Sequence, residues 1–498
     1  MKIKIGLISI ILLSALFVIS CDDYTELDAP VQNGTSGTAN FNRFVTIGNS
    51  ITSGYQSGAL YQSGQIYAYG NLIAKQVGVD YQAPYISDPG FGSRMEVQSL
   101  SPFTIKYNTS SGSLLNSTYP APYNNLGVTG ALTYDVLFAT NSTNCASALF
   151  ANTPNPYFDI VLRNNVLNKG SQLQQAISLA PTFITLWIGN NDVLGYATSG
   201  GTSPAAPTTT AQFNQLFGGI MQGLKQYTDA SGANVVVANI PSVSAIPFFT
   251  TVGPVLATNP ALAWWQIALA QTASGLPATG LIYASHEGGT NLGQLPYKIG
   301  FADSAALLHC TKLITLVGQS YAPLLGRPTG KYYRDYHIPV PLGVDTTKAF
   351  GFHPQNPFPD AFVLDSDEIT TSNNAVSSFN STIAALAGAN GYGLVDINTK
   401  FNQFRAADFT GGTVINGLTF KTTYVSGGLF SLDGVHPSSQ AHGIVANEFI
   451  KVINTKYGAN IPLVDVSTIP GSIYFTGKVS YKDGYPVIPK NAFDHLLF

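Results

Sequence analysis

Phe44-Val45-Thr46-Ile47-Gly48-Asn49-Ser50-Ile51-Thr52 opens with apolar and β-branched residues, stops at a glycine, and then delivers a hydroxyl. A continuous apolar run of this length, here residues 43–47, suits a strand buried on both faces. Three more runs of the same kind follow at 183–188 (between Pro181 and Gly189), 235–240 (stopped by Pro241) and 393–397. Between and after them, apolar residues return every three or four positions. Phe213, Leu216, Phe217, Ile220, Met221 and Leu224 form one such series, and Val376, Phe379, Ile383 and Leu386 a second. Ala441, Ile444, Val445, Phe449, Val452 and Ile453 form a third. That spacing marks helices with one buried face. Strand and helix in alternation predict an α/β fold, a three-layer α/β/α sandwich around a central parallel sheet. Irregular stretches at 53–124, 139–156, 193–210 and 242–345 interrupt the alternation, and loops of that length are usually lids, binding elements or small subdomains.

Composition narrows the function classes. Charged residues are only 10% of the 498, against roughly 25% in an ordinary soluble protein. With 45% hydrophobic side chains the chain can still fill a core. A net charge of −3 gives no basic field for a phosphate backbone, so nucleic acid is not an expected partner. Three cysteines without a C-x-x-C pair suggest neither a disulfide scaffold nor a zinc or redox site.

The first cysteine has its own context. Lys2 and Lys4 precede an apolar run from Ile5 to Ile19, which is too short to span a bilayer and reads as a signal peptide over 1–20. Val18-Ile19-Ser20-Cys21 resembles a bacterial lipobox, which implies cleavage before Cys21 and acylation of its thiol. Two or three acyl chains anchor a protein stably. Asp22-Asp23-Tyr24-Thr25-Glu26 resembles the export signal of surface lipoproteins, which implies an exported protein of a diderm bacterium, outer-membrane or periplasmic. Residues 21–40 read as a flexible tether, 41–457 as the folded domain with its main insertions at 53–124 and 242–345, and 458–498 as an extension without an assigned role. Cys145 and Cys310 are left to form one disulfide or to remain two thiols.

The informative positions sit at strand ends, where open α/β sheets bind ligands. Ser50 follows the first strand. Gly130 closes Asn125-Leu126-Gly127-Val128-Thr129-Gly130, which opens toward a helix. Asn191 follows another strand in Gly189-Asn190-Asn191-Asp192, and Leu432-Asp433-Gly434-Val435-His436-Pro437 comes just before the last helix. A serine, glycine-turn amides, an amide side chain and an acid–histidine pair are the parts that acyl transfer needs.

These four segments, in this order, resemble the SGNH (GDSL-type) serine hydrolases. The resemblance frames residues 41 to about 455 and implies a flavodoxin-like fold. It implies Ser50 as nucleophile, His436 as base and Asp433 as the group orienting it. It also implies an oxyanion hole from Ser50, Gly130 (Gly127 as fallback) and Asn191. Asn49 stands where the family usually has Asp, and its expected role is to fix the serine turn. Pro437 is expected to start the final helix.

Other chemistries fit less well. Thr52 breaks the Gly-x-Ser-x-Gly pattern, and Tyr332 follows Lys331 where a phosphate loop needs Ser or Thr. His286-Glu287 lacks the second histidine of a zinc-protease helix. No metal or organic cofactor is therefore expected. Phe248, Phe249, Trp264, Trp265, Tyr332, Tyr333 and Tyr336 would pack a subdomain core, line an acyl groove or stack on sugars, the first being the default. The sequence thus points to an exported, lipid-anchored serine esterase acting on lipid or short-chain esters or on acetylated glycans. A non-catalytic surface lipoprotein using the same fold for binding is the alternative.

Overall fold

In the computed structural model, five short parallel strands form the only sheet of more than two strands among the described residues: β1 Phe44–Gly48, β2 Asn125–Gly127, β3 Phe183–Trp187, β4 Asn234–Ala238 and β5 Gly393–Val395. The structure describes residues 34–498 apart from 101–102, 203–206, 263–279, 287, 293–294, 472–480, 483–484 and 487–498. The signal peptide, Cys21, the acidic run, most of the tether, Trp264, Trp265 and most of the extension after residue 471 lie outside the described residues. The chain divides into units Met1–Thr35 and Ser36–Phe498, and the second holds every element named below.

The sheet order is β5-β4-β3-β1-β2. Read from the other edge this is the 2-1-3-4-5 order of flavodoxin-like folds, whose switch point lies between β1 and β3. Gly48 sits at that point, in register with Gly127 on one side and Trp187 on the other. The four sequence-expected strands appear with their ends moved by one or two residues, β1 running on to Gly48 and β4 starting at Asn234. β2 is an addition, because a three-residue strand of Asn, Leu and Gly carries no apolar run.

Alternation along the strands fills two cores. Val45, Ile47, Ile184, Leu186, Val235 and Val237 face one side. The helices that bear on that side include α1 Thr133–Phe138, α2 Gln172–Ser178, α3 Thr210–Ser231 and α4 Ser366–Ala389. Phe44, Phe183, Trp187, Val236, Ala238 and Val395 face the other, against the helix Tyr69–Val77 and α5 Ser439–Tyr457. This is the expected three-layer α/β/α arrangement.

The packed chain is longer than 41–457. Ala39 is buried before it, and Thr38 donates its N–H to the Tyr457 carbonyl at 2.8 Å. Ile461, Val464, Val466 and Ile469 are buried after it, with Asn447 exchanging two hydrogen bonds with Val464.

The expected irregular stretches hold short elements. The first contains the hairpin of Arg94–Leu100 and Phe103–Asn108. The stretch after residue 242 pairs Leu281–Ser285 with Lys298–Ala302 and builds its own core from Leu281, Tyr283, Leu307, Tyr321, Phe350 and Phe358. Of the described aromatics there, Phe249 is buried in a core with Phe401, Phe430 and Ile444, whereas Tyr332 lies edge-on to Tyr321 and Phe362. Cys145 and Cys310 are both free thiols. Among the described residues no helix is long and apolar enough to cross a membrane.

Candidate active site

The turn after β1 is built by backbone crowding. A Cβ on Gly48 would stand 2.1 Å from Thr52 Oγ1 and 2.5 Å from the Trp187 carbonyl, so only glycine fits between them. Asn49 Oδ1 accepts the Ile51 N–H at 3.2 Å and caps the single turn Ser50–Ser53. Asn49 Nδ2 donates to Asn190 Oδ1 at 3.3 Å, tying the serine turn to the loop after β3. The amide at position 49 therefore holds the turn through a donor that an ionised aspartate lacks.

Ser50 is 5% exposed, and its Oγ lies 2.9 Å from His436 Nε2. His436 Nδ1 in turn lies 3.0 Å from Asp433 Oδ2. The loop carrying this pair folds back on itself, with Ser431 N–H donated to the His436 carbonyl at 2.9 Å. Gly434 takes φ +68, the left-handed conformation that the reversal needs. Ser438, not Pro437, caps α5, accepting the Ala441 N–H at 3.0 Å, so the expectation that Pro437 begins the helix is corrected by two residues. A serine hydroxyl can accept an orphan N–H, and that fixes the boundary.

Asp433 is a buried carboxylate surrounded by donors. Oδ1 accepts from Ser431 Oγ at 3.0 Å and from the N–H groups of Val435 and His436 at 2.9 Å each. Oδ2 accepts from Gly58 N–H at 3.2 Å besides facing the imidazole. Burial alone would raise its pKa, but His436 and these donors outweigh it and bring it down to about 2.

The remaining loops supply further donors. Asn191 Nδ2 donates to the Ala131 carbonyl at 2.9 Å, joining the loop after β3 to the one after β2 and leaving its second N–H. Gly130, at φ +82, has an N–H without an acceptor among the described residues. Gly127 gives its N–H to Asn125 Oδ1 at 2.9 Å and is already spent. Ser50 begins its helical turn, so its N–H has no acceptor within that turn. Buried Asp192 fastens the loops by accepting from Thr133 N–H, Thr133 Oγ1 and Thr208 Oγ1 at 2.9 Å each. Burial pushes its pKa up to about 6 despite those donors.

Ser50, His436 and Asp433 thus form one hydrogen-bonded chain, while Asn191 meets the Gly130–Ala131 turn. Sequence reasoning missed Tyr55, whose ring edge packs on the His436 imidazole at 4.8 Å, and Tyr157, which packs against Tyr55. Neither stands in a recognisable motif. An apolar cavity flanks the catalytic loops, lined by Ile51, Val435 and Pro437, neighbours of Ser50 and His436, together with Trp187, Phe401 and Phe430.

Residues 44–279 match the family model of the GDSL-like lipase/acylhydrolases. Asp433 and His436 lie beyond the matched stretch. No curated protein matches the sequence. Among solved structures the chain is similar to a lipase/acylhydrolase from Enterococcus faecalis (10% identity, 84% of this chain and 98% of that one, TM-score 0.29). It is also similar to phospholipase A1 from Streptomyces albidoflavus (13%, 84% and 100%, 0.28). A third similarity is to an extracellular lipase from Streptomyces rimosus (13%, 83% and 98%, 0.26). Likenesses this distant carry no argument about substrate.

Proposed function

For a chain that carries a GDSL-like lipase/acylhydrolase domain and is a serine ester hydrolase, we infer that Ser50, His436 and Asp433 perform the hydrolysis. The observation that carries this reading is the chain of contacts Ser50 Oγ–His436 Nε2–His436 Nδ1–Asp433 Oδ2 at 2.9 and 3.0 Å. Ser50 Oγ attacks the ester carbonyl as its proton passes to His436 Nε2. Asp433, ionised, takes the Nδ1–H hydrogen bond and stabilises the imidazolium. The N–H groups of Ser50 and Gly130 and the free Asn191 N–H receive the developing oxyanion, each such donor contributing about 3 kcal/mol to the transition state. The imidazolium then returns its proton to the leaving alkoxide. Water, activated by the same imidazole, cleaves the acyl-enzyme and restores Ser50.

The apolar cavity beside Ile51 and Val435 favours an acyl chain of several carbons over a bare acetyl group as the natural substituent. Export and anchoring through Cys21 complete the reading and rest on the leader sequence. Purified mature protein should hydrolyse short p-nitrophenyl esters, with Ser50→Ala lowering kcat by roughly 10⁶-fold and leaving thermal stability nearly unchanged. Equal rates in the two proteins exclude the triad. A panel running from acetylated sugars to long acyl esters should peak above two carbons. Cys21→Ser should release the protein from membranes, and unchanged fractionation excludes the anchor.

A further inference from the structure

His286, Asp360 and Glu368 converge from three segments outside the catalytic loops. His286 follows the strand Leu281–Ser285, Asp360 begins the turn Asp360–Phe362, and Glu368 lies in the first turn of α4. His286 Nδ1 stands 2.8 Å from Asp360 Oδ2 and 3.5 Å from Glu368 Oε1. One ligand atom from each residue lies within 4.8 Å of the others. Side-chain exposure grades from 1% at Glu368 through 21% at Asp360 to 34% at His286, giving a closed floor and an open mouth.

The floor is rigid. Glu368 Oε2 accepts the Asp365 N–H at 2.7 Å in a reciprocal helix cap, which fixes the carboxylate and aims Oε1 at the imidazole. Gly201, in the left-handed region at φ +71, closes over it, where a Cβ would stand 2.9 Å from Glu368 Oε1. His286 Nδ1 thus faces carboxylate oxygens from two separate segments, although it carries at most one hydrogen. Asp365 and Asp367 stand close by. After burial, these four carboxylates are what hold the Tyr283 hydroxyl well above its ordinary range.

We propose that His286 Nδ1, Asp360 Oδ2 and Glu368 Oε1 form a binding site for a divalent transition-metal cation, Zn²⁺ being the ion that the donors fit. Calcium and magnesium take oxygen ligands, whereas imidazole with carboxylates suits zinc. Bonds of about 2.1 Å at tetrahedral angles separate ligand atoms by about 3.4 Å. The His286–Glu368 spacing already meets that figure, and a small rotation of the half-exposed imidazole opens the His286–Asp360 spacing to match. The open mouth leaves a position for water. Such an ion would tie the segments carrying His286 and Asp360 to α4.

The test uses the tag-free mature protein, stripped with chelator and titrated with Zn²⁺ alone by calorimetry, elemental analysis and thermal unfolding. The site predicts one Zn²⁺ per chain and a higher unfolding midpoint. His286→Ala and Asp360→Asn should each weaken binding at least tenfold and abolish the stabilisation, while hydrolysis of a short p-nitrophenyl ester stays within twofold. X-ray absorption of the loaded protein should show one imidazole among oxygen ligands. Absence of stoichiometric uptake overturns the proposal, as does equal uptake by the folded His286→Ala protein or equal stabilisation by Ca²⁺.

Discussion

Two histidine–aspartate pairs in this molecule have nearly the same geometry and quite different surroundings. His436 Nδ1 lies 3.0 Å from Asp433 Oδ2, and His286 Nδ1 lies 2.8 Å from Asp360 Oδ2. At the first pair the other ring nitrogen meets the Ser50 hydroxyl, and the aspartate also accepts from two backbone N–H groups of its own loop, one from Gly58 and a serine hydroxyl. At the second pair the nitrogen that faces the aspartate also faces another carboxylate, that of Glu368. An acid–histidine contact is thus no catalytic signature by itself. The group beyond the imidazole decides what the contact does, and so does the donor shell that keeps the acid ionised.

Four substitutions probe that contrast. The largest effect belongs to Asp433→Asn, which keeps the shape but presents the imidazole with the wrong tautomer. It should lower kcat by roughly 10⁴-fold. Asp360→Asn, the matching change at the other pair, should leave steady-state rates within twofold, and a comparable loss there would erase the distinction. Next comes Asn191→Ala, expected to reduce kcat by roughly 10²- to 10³-fold with KM little changed; a pure KM effect would move Asn191 from the transition state to ground-state binding.

Acid titration gives a smaller effect. The folded Asp433 carboxyl, near 2, lies below an unfolded value of about 3.9. Its ionised form therefore stabilises the fold above about pH 4, by about 2 kcal/mol, and that contribution disappears as pH falls toward 2. Urea unfolding of wild type and Asp433→Asn should show a stability gap that narrows across this window. A gap independent of pH would mean that Asp433 is not held ionised by its donors. Smallest is His286→Ala without metal, expected to cost under about 1 kcal/mol, as partly exposed ion pairs do.

The sequence was most legible where chemistry and backbone geometry demand particular residue types. The runs around Val45, Ile184 and Val236 are apolar because both sheet faces are covered, so four strands and three long helices could be read directly. Gly48 and Asn49 mark the serine turn because nothing larger fits beside Thr52 and because the turn needs a side-chain cap. β2 was hidden, since its pairing with Thr46 depends on a partner eighty residues away and not on its own composition. Tyr55 and Tyr157 were hidden for a similar reason, as an aromatic edge on an imidazole leaves no spacing rule. The cap at Ser438 was legible in principle but was obscured by the neighbouring proline. The 242–345 insertion gave only its aromatic content, and which of those rings pack together is set by contacts distant in sequence.

The most direct measurement of the central claim is active-site labelling with a fluorophosphonate ester, read by intact mass and peptide mapping. The account predicts one adduct per chain, on Ser50, formed rapidly by wild type, far more slowly by His436→Ala and not at all by Ser50→Ala. An adduct on another residue, or unchanged labelling kinetics in His436→Ala, would contradict it.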